Sequence, residues 1–220
     1  MNKYLKTIYL LILAIISSNA QNKKPTDFIP EEYVEFEKYF GDLNGDKQED
    51  CVLIIKATDK NSIIIDHDGK EVDQNRRGII ILFKEKNGYQ LIDKNYDCFS
   101  SENEEGGVYY PPQLSIKFKN NNLIVDYDHG RYGFWKYTFR LEDSSFKLIG
   151  YDLSSNFGST INRETSINFL SKRKLVRKNI NHDAVGGDEI FQETWSDIEI
   201  EELITLSEIE DFDELNMYDY

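Results

Sequence analysis

A mainly β fold, an antiparallel meander of hairpins with few or no long helices, is what this chain predicts, and three observations predict it. Short runs rich in β-branched and aromatic residues recur from Cys51 onward. Turn residues punctuate them, as at Lys86-Asn87-Gly88 and Asn120-Asn121-Asn122. No amphipathic segment long enough to be a crossover helix lies between them, and strands joined so closely pair antiparallel. A sandwich and a propeller-blade-like sheet both satisfy the pattern.

The elements follow in order. Residues 1–20 have the form of a cleaved secretory signal: Lys3 and Lys6 at the positive end, Ile8 to Ile16 as apolar core, and Ser18-Asn19-Ala20 as a small-x-small cleavage site. Gln21 is then the expected amino terminus. The apolar core is short for a membrane span, no later run approaches ~20 apolar residues, and no cysteine near the cleavage site offers a lipid anchor. The expected product is exported to the periplasm or outside the cell, its mature chain not inserted in a membrane and not lipid-anchored; a retained amino-terminal anchor is the alternative.

Residues 21–30, with Pro25 and Pro30, read as an extended leader, and 31–206 as a single β-rich domain. Glu31 to Phe40 fits neither a strand nor a helix period cleanly and stays open between them. Strands are expected at Cys51–Lys56, Ser62–Asp66, Gly78–Lys84, Tyr89–Asp93, Leu114–Phe118 and Leu123–Asp128. The unbroken apolar run from Gly78 to Phe83 implies a central strand covered on both faces. Phe134 to Leu141 alternates, placing Trp135, Tyr137, Phe139 and Leu141 on one face, read as core, before a hairpin into Phe146–Tyr151. Ser166–Leu170 and Lys174–Ile180 continue the series.

After Lys178 the composition changes. From Asp183 to Tyr220 there are 14 acidic residues and no Lys or Arg, yet the apolar content is too high for a solvating tail. Alternation at Asp197–Glu201 predicts one more strand, then an irregular acidic end over 207–220. The basic cluster Lys172, Arg173, Lys174, Arg177 and Lys178 is placed to pair with it.

The formal charge of −14 becomes −16 if Lys3 and Lys6 leave with the signal. Such acidity argues against nucleic acid, which needs a basic face, and fits a basic partner or plain solubility. Thirteen per cent aromatic residues with many Ile, Leu and Val supply one substantial core. Cys51 and Cys98, the only cysteines, are expected to form a disulfide in an oxidising compartment.

The most specific stretch is Asp42-Leu43-Asn44-Gly45-Asp46-Lys47-Gln48-Glu49-Asp50. Its oxygens at positions 1, 3, 5 and 9, with the carbonyl of Gln48 at 7, suit a hard cation such as Ca²⁺. The expected metal ligands are therefore Asp42, Asn44, Asp46, Gln48 and Asp50. Over residues 39–56 the pattern resembles the calcium loops of FG-GAP and VCBS-type repeats, the integrin-like β units of secreted bacterial proteins, in which the loop joins two strands and holds Ca²⁺ structurally. Two departures stand out. Lys47 occupies the family's glycine position, where a left-handed backbone is wanted, and Leu53 stands where an EF-hand has its bidentate Glu. Asp66 to Asp73 matches the spacing poorly and reads as a polar loop.

No nucleophile elbow, phosphate-binding glycine loop or zinc signature occurs. Asp128, His129 and Arg131 form a conceivable acid-base group, and Glu102, Glu104 and Glu105 a carboxylate cluster, although a polar loop accounts for each. The expected function is thus an exported non-catalytic β-rich binding module, with a structural calcium loop and a protein or glycan partner. The alternatives are an inhibitor or immunity-type protein that blocks a basic enzyme, and a hydrolase.

Overall fold

The computed structural model of the chain describes residues 23–103 and 111–220; the expected signal segment, Gln21, Glu104 and Glu105 lie outside them. Thirteen strands and a few short 3-10 turns make up what is described. Strands β1 (Tyr33–Gly41), β2 (Asp50–Ala57), β5 (Arg77–Glu85) and β6 (Gly88–Phe99) form a four-stranded sheet in that order. The small hairpin β3 (Ile63–Ile65) and β4 (Glu71–Asp73) is inserted between β2 and β5.

The second sheet is a seven-stranded meander in chain order. It comprises β7 (Gln113–Lys119), β8 (Asn122–Asp128), β9 (Gly133–Glu142), β10 (Ser145–Phe157), β11 (Thr160–Asn168), β12 (Arg173–Asn179) and β13 (Phe191–Asp197). All named strand pairs are antiparallel.

One core joins the two sheets. Val52, Ile54, Ile79, Ile81 and Phe99 from the first pack with Leu123, Val125, Tyr137, Phe139 and Leu148 from the second, the sandwich form of the expected meander. Period-two geometry explains why β5 lacks alternation: Ile79 and Ile81 enter this core, while Ile80 and Leu82 join Cys51, Leu53 and Ile55 in a smaller cluster on the other face. Tyr33, Phe28 and Tyr96 pack against that cluster, so the leader is folded on, with a 3-10 turn at Pro25–Phe28.

The ambiguous stretch before the cation loop is strand β1. A register shift between Glu35 and Glu37 marks a bulge at Phe36, which breaks the phase of its apolar residues and hides the period.

The disulfide is a correction: Cys51 and Cys98 are both free and buried. Cys51 is opposite Leu82, whereas Cys98 adjoins Phe99, the partner of Arg77, five positions back along β5. That offset alone is about 16 Å, and the thiols lie in different clusters on opposite faces, beyond any Cα separation a disulfide spans.

The strand expected at Asp197–Glu201 is also corrected. The last strand is Phe191–Asp197, and it stops because its partner β12 begins at Arg173, opposite Asp197. From Ile198 the chain is irregular apart from one 3-10 turn, but it is not peripheral: Leu206, Ile209, Phe212 and Met217 are buried in the shared core. The basic cluster does meet the acidic segment 183–220, with Arg177 Nε 3.3 Å from a Glu193 oxygen and Lys172 Nζ donating to the Ile200 carbonyl at 2.9 Å.

Candidate functional site

The cation loop joins β1 to β2. Its backbone is bent by left-handed residues at Gly45 (φ 80°) and Lys47 (φ 68°). Lys47 thus adopts the conformation of the glycine it replaces, at a cost of about 1 kcal/mol. Asp42 accepts hydrogen bonds from the backbone N–H groups of Gly45 (2.6 Å), Lys47 (2.9 Å) and Asn44 (3.2 Å). Asn44 Oδ1 accepts from Asp46 N at 2.9 Å, and Asp46 from Gln48 N at 2.8 Å. The bond from Gln48 is the largest influence holding the Asp46 carboxyl below its usual range.

Asp50 is placed differently. It is 0% exposed and accepts from Leu43 N (2.8 Å) and Lys84 N (2.9 Å), tying the loop to β5. Burial pushes its carboxyl up, against the pull of those two bonds. The structure therefore brings Asp42, Asn44 and Asp46 together on an exposed turn and anchors Asp50 beneath it. Among the described residues no three His, Cys, Asp or Glu side chains are grouped as metal ligands. Hard oxygen donors, including an amide and a carbonyl, remain the chemistry calcium uses.

The other sequence candidates go elsewhere. Asp128 accepts from Gly130 N at 2.7 Å, and Arg131 donates to Tyr132 Oη at 3.0 Å and lies over its ring. His129 packs on Tyr132 and edge-on to Trp135. Asp66 accepts from the N–H groups of Asp68 and Lys70 and closes the β3–β4 hairpin, a polar turn. Glu102 bonds Lys56.

No family model, curated protein or solved structure matches this chain. Function must therefore be read from the geometry.

Two concavities stand out. The larger, about 740 Å³, is an open surface cleft lined by Tyr33, Asp59, Asn75, Arg76 and Asp97. Its polar groups are already partnered: Asn75 bonds Asp59 and Asp73, and Arg76 bonds Asp97 and reaches Asp211 at 2.8 Å.

The smaller, about 390 Å³, opens at one end of the sandwich and is lined by Gln74, Arg77, Asn103, Tyr127, Trp135 and Asp213, with Ser100, Ser101, Pro111 and Pro112. Here the partners run out. Arg77 is 6% exposed; its Nε donates to the Ser100 carbonyl at 2.9 Å, and Glu102 stands 4.0 Å away, beyond hydrogen-bond reach. Burial lowers the Arg77 pKa. Tyr127 is 2% exposed and its hydroxyl has no hydrogen-bond partner among the described residues. Burial, reinforced by the Asp213 charge, drives that phenol well above its usual range. Gln74 Nε2 is likewise buried without a hydrogen-bond partner among the described residues.

Strand geometry explains how these residues meet. Lys56 and Arg77 are directly paired on β2 and β5 and share the inward face with Val52, Ile54, Ile79 and Ile81. Tyr127 and Trp135 are directly paired on β8 and β9, their rings stacked at 5.2 Å. Gly78 permits the close approach of β6, since a Cβ there would lie 2.3 Å from the Tyr96 carbonyl group. Like charges placed opposite each other repel, and the protein offsets this locally. Lys56 bonds Asp73 (2.8 Å) and Glu102, and the Phe36 ring lies under both cations at 5.8 and 5.3 Å. Burial raises the Asp73 carboxyl, but hydrogen bonds from Lys56 and Asn75 outweigh it and leave it below its usual range.

Sequence reading missed this site, although a signal existed: Lys56 and Arg77 end inward-facing rows of aliphatic residues, where a charge is unexpected.

Proposed function

We propose that the chain is an exported, non-catalytic β-sandwich binding module that receives a small ligand in the pocket beside Arg77, Tyr127 and Trp135, with Asp42, Asn44, Asp46, Gln48 and Asp50 as a structural Ca²⁺ loop. One observation carries the binding reading: Tyr127 and Gln74, which line one pocket with the buried Arg77, hold a hydroxyl and an amide nitrogen that are buried without a hydrogen-bond partner among the described residues. Buried polar groups are ordinarily satisfied. A cluster of exceptions in one concavity of ligand-site size, roughly 300 to 1,000 Å³, is supported best by a missing partner. Export rests on the Lys3, Lys6, Ile8–Ile16 and Ser18–Ala20 pattern, and calcium on the loop spacing and its resemblance to FG-GAP-type repeats.

The test is amide and side-chain NMR mapping against a library of small polar fragments. Expected are saturable shifts centred on Arg77, Tyr127 and Trp135. Fragments that gather only in the Tyr33–Arg76 cleft, or nowhere, would defeat the pocket reading. The charge of −14 supports a second reading, an inhibitor of a basic enzyme, which predicts capture of a cationic protein that 0.5 M salt releases.

A further inference from the structure

We infer that β13, the last strand of the seven-stranded sheet, is a dimer edge: it pairs antiparallel with β13 of a second copy of this chain, about a two-fold axis through Thr194. The pocket beside Arg77 plays no part in this.

The two large sheets have β1, β6, β7 and β13 as their edge strands, and three of these are guarded in ways natural sheets use against edge-to-edge pairing. β1 is broken by its bulge. β6 has register breaks of its own, and Phe212 N already bonds its Cys98 carbonyl at 3.0 Å. β7 carries Lys117 and Lys119. β13 has none of these devices: Phe191-Gln192-Glu193-Thr194-Trp195-Ser196-Asp197 contains no Pro, Lys or Arg, and it follows β12 without a register break. Its Trp195 is 53% exposed.

The alternation of an antiparallel ladder fixes which backbone groups of β13 are free. Ile180 N donates to the Ile190 carbonyl (2.8 Å) and Ile198 N to the Lys172 carbonyl (2.9 Å), so Ile190 and Ile198 turn their polar groups towards the β12 side. Residues of that kind alternate with residues that turn theirs away. Phe191, Glu193, Trp195 and Asp197 therefore present N–H and C=O outward, and among the described residues no strand lies beyond them.

Charge selects both the occupant and the register. Arg173 lies over the Trp195 ring at 4.5 Å and Arg177 over the Phe191 ring at 4.4 Å. About an axis through Thr194, Glu193 of one copy stands opposite Trp195 of the other, and Asp197 opposite Phe191. Each carboxylate thus arrives beside an aromatic ring that holds an arginine, and each residue pair exchanges two N–H···O bonds. A slip of two residues either way sets Glu193 against Glu193 or against Asp197, and like charges directly opposite are destabilising. The strand is therefore complementary to itself in one register. Such an isologous pairing uses up both edges and closes at two copies.

The test pairs sedimentation velocity, from micromolar to millimolar protein, with amide hydrogen exchange. Salt of about 0.15 M screens the repulsion between copies of charge −14 beyond about 8 Å. Expected are a concentration-dependent dimer and slower exchange with concentration at Phe191, Glu193, Trp195 and Asp197, but not at Gln192, Thr194 and Ser196, which face β12. Trp195→Pro deletes an outward donor, which an edge strand tolerates, and should raise the dimer dissociation constant about tenfold or more. Glu193→Lys, set against Arg173 of the other copy, should act in the same direction, and adding Arg173→Glu should restore pairing. Each variant is checked for native melting. A monomer at every concentration overturns the inference, and protection of the same amides by added poly-lysine would then give the edge to a cationic strand. A dimer that Trp195→Pro and Glu193→Lys both leave intact places the interface elsewhere and refutes it as well.

Discussion

Tyr127 shows how much a single atom decides. Its ring is core material, stacked on Trp135 and edge-on to Phe99 at 6.5 Å, yet its hydroxyl is buried with no hydrogen-bond partner among the described residues. An unsatisfied buried hydroxyl costs about 1 to 3 kcal/mol, so a protein selected for stability alone would hold phenylalanine there. Tyr127→Phe is accordingly expected to stabilise the ligand-free protein by about 1 kcal/mol, read as a higher urea midpoint with unchanged slope. A loss of stability would mean the hydroxyl has a partner and the pocket is a packing detail. The same residue illustrates what sequence conveys: alternation puts Leu123, Val125 and Tyr127 on one face, but not that the last of them lines a pocket with Arg77 from the other sheet, because that depends on how the sheets are laid together.

At the scale of elements, the strands were legible where aliphatic and aromatic residues fill the ladder positions; β13 pairs along β12 with nearly all its residues exposed, and β4 is three residues long, so neither was. β5, β8 and β9 fall where their aliphatic and aromatic residues place them. β1 was ambiguous because of its bulge at Phe36. The closing segment's one alternation, at Asp197–Glu201, is not a strand, because past Asp197 the backbone bonds to side chains and isolated groups: Asn95 Nδ2 donates to the carbonyls of Leu206 (3.0 Å) and Ile209 (2.7 Å), and Tyr137 Oη to that of Phe212 (3.3 Å). Its weight in the fold is nevertheless large. Phe212 is 1% exposed, stacked on Phe99 at 4.9 Å and edge-on to Tyr137 at 5.0 Å. Phe212→Ala should therefore cost about 3 to 5 kcal/mol, whereas Tyr218→Ala, on a residue 71% exposed, should stay within about 0.5 kcal/mol. Chemical denaturation of the two variants checks the contrast, and equal small effects would show the terminal segment to be an appendage.

For the whole molecule the question is how so acidic a chain holds Asp42 and Asp46 on one turn above a buried Asp50. The candidate loop was legible residue by residue because its spacing is local; that Asp50 is driven beneath the turn was not, because its bond to Lys84 N crosses 34 positions of chain. Burial raises Asp50 above its ordinary 3.8, so its protonated form is the one the native state favours. That contribution is present below about pH 3.8 and lost as pH rises through the elevated value. A bound cation reverses the balance by favouring the charged carboxylate. Native-only Ca²⁺ at ~100 times its Kd adds ~2.7 kcal/mol, roughly 5 to 10 °C in Tm for a domain of this size. The gain should be largest near neutral pH and shrink towards about pH 4, where protons compete for the same oxygens. Melting curves in chelator and in millimolar Ca²⁺, taken across that range, measure it. Asp46→Ala should abolish the calcium-dependent part, and Asp68→Ala, in the β3–β4 turn, should leave it whole. Superimposable curves for the wild type near neutral pH would reduce the loop to a turn closed by its own amides, with Lys47 held left-handed by Asp42 alone.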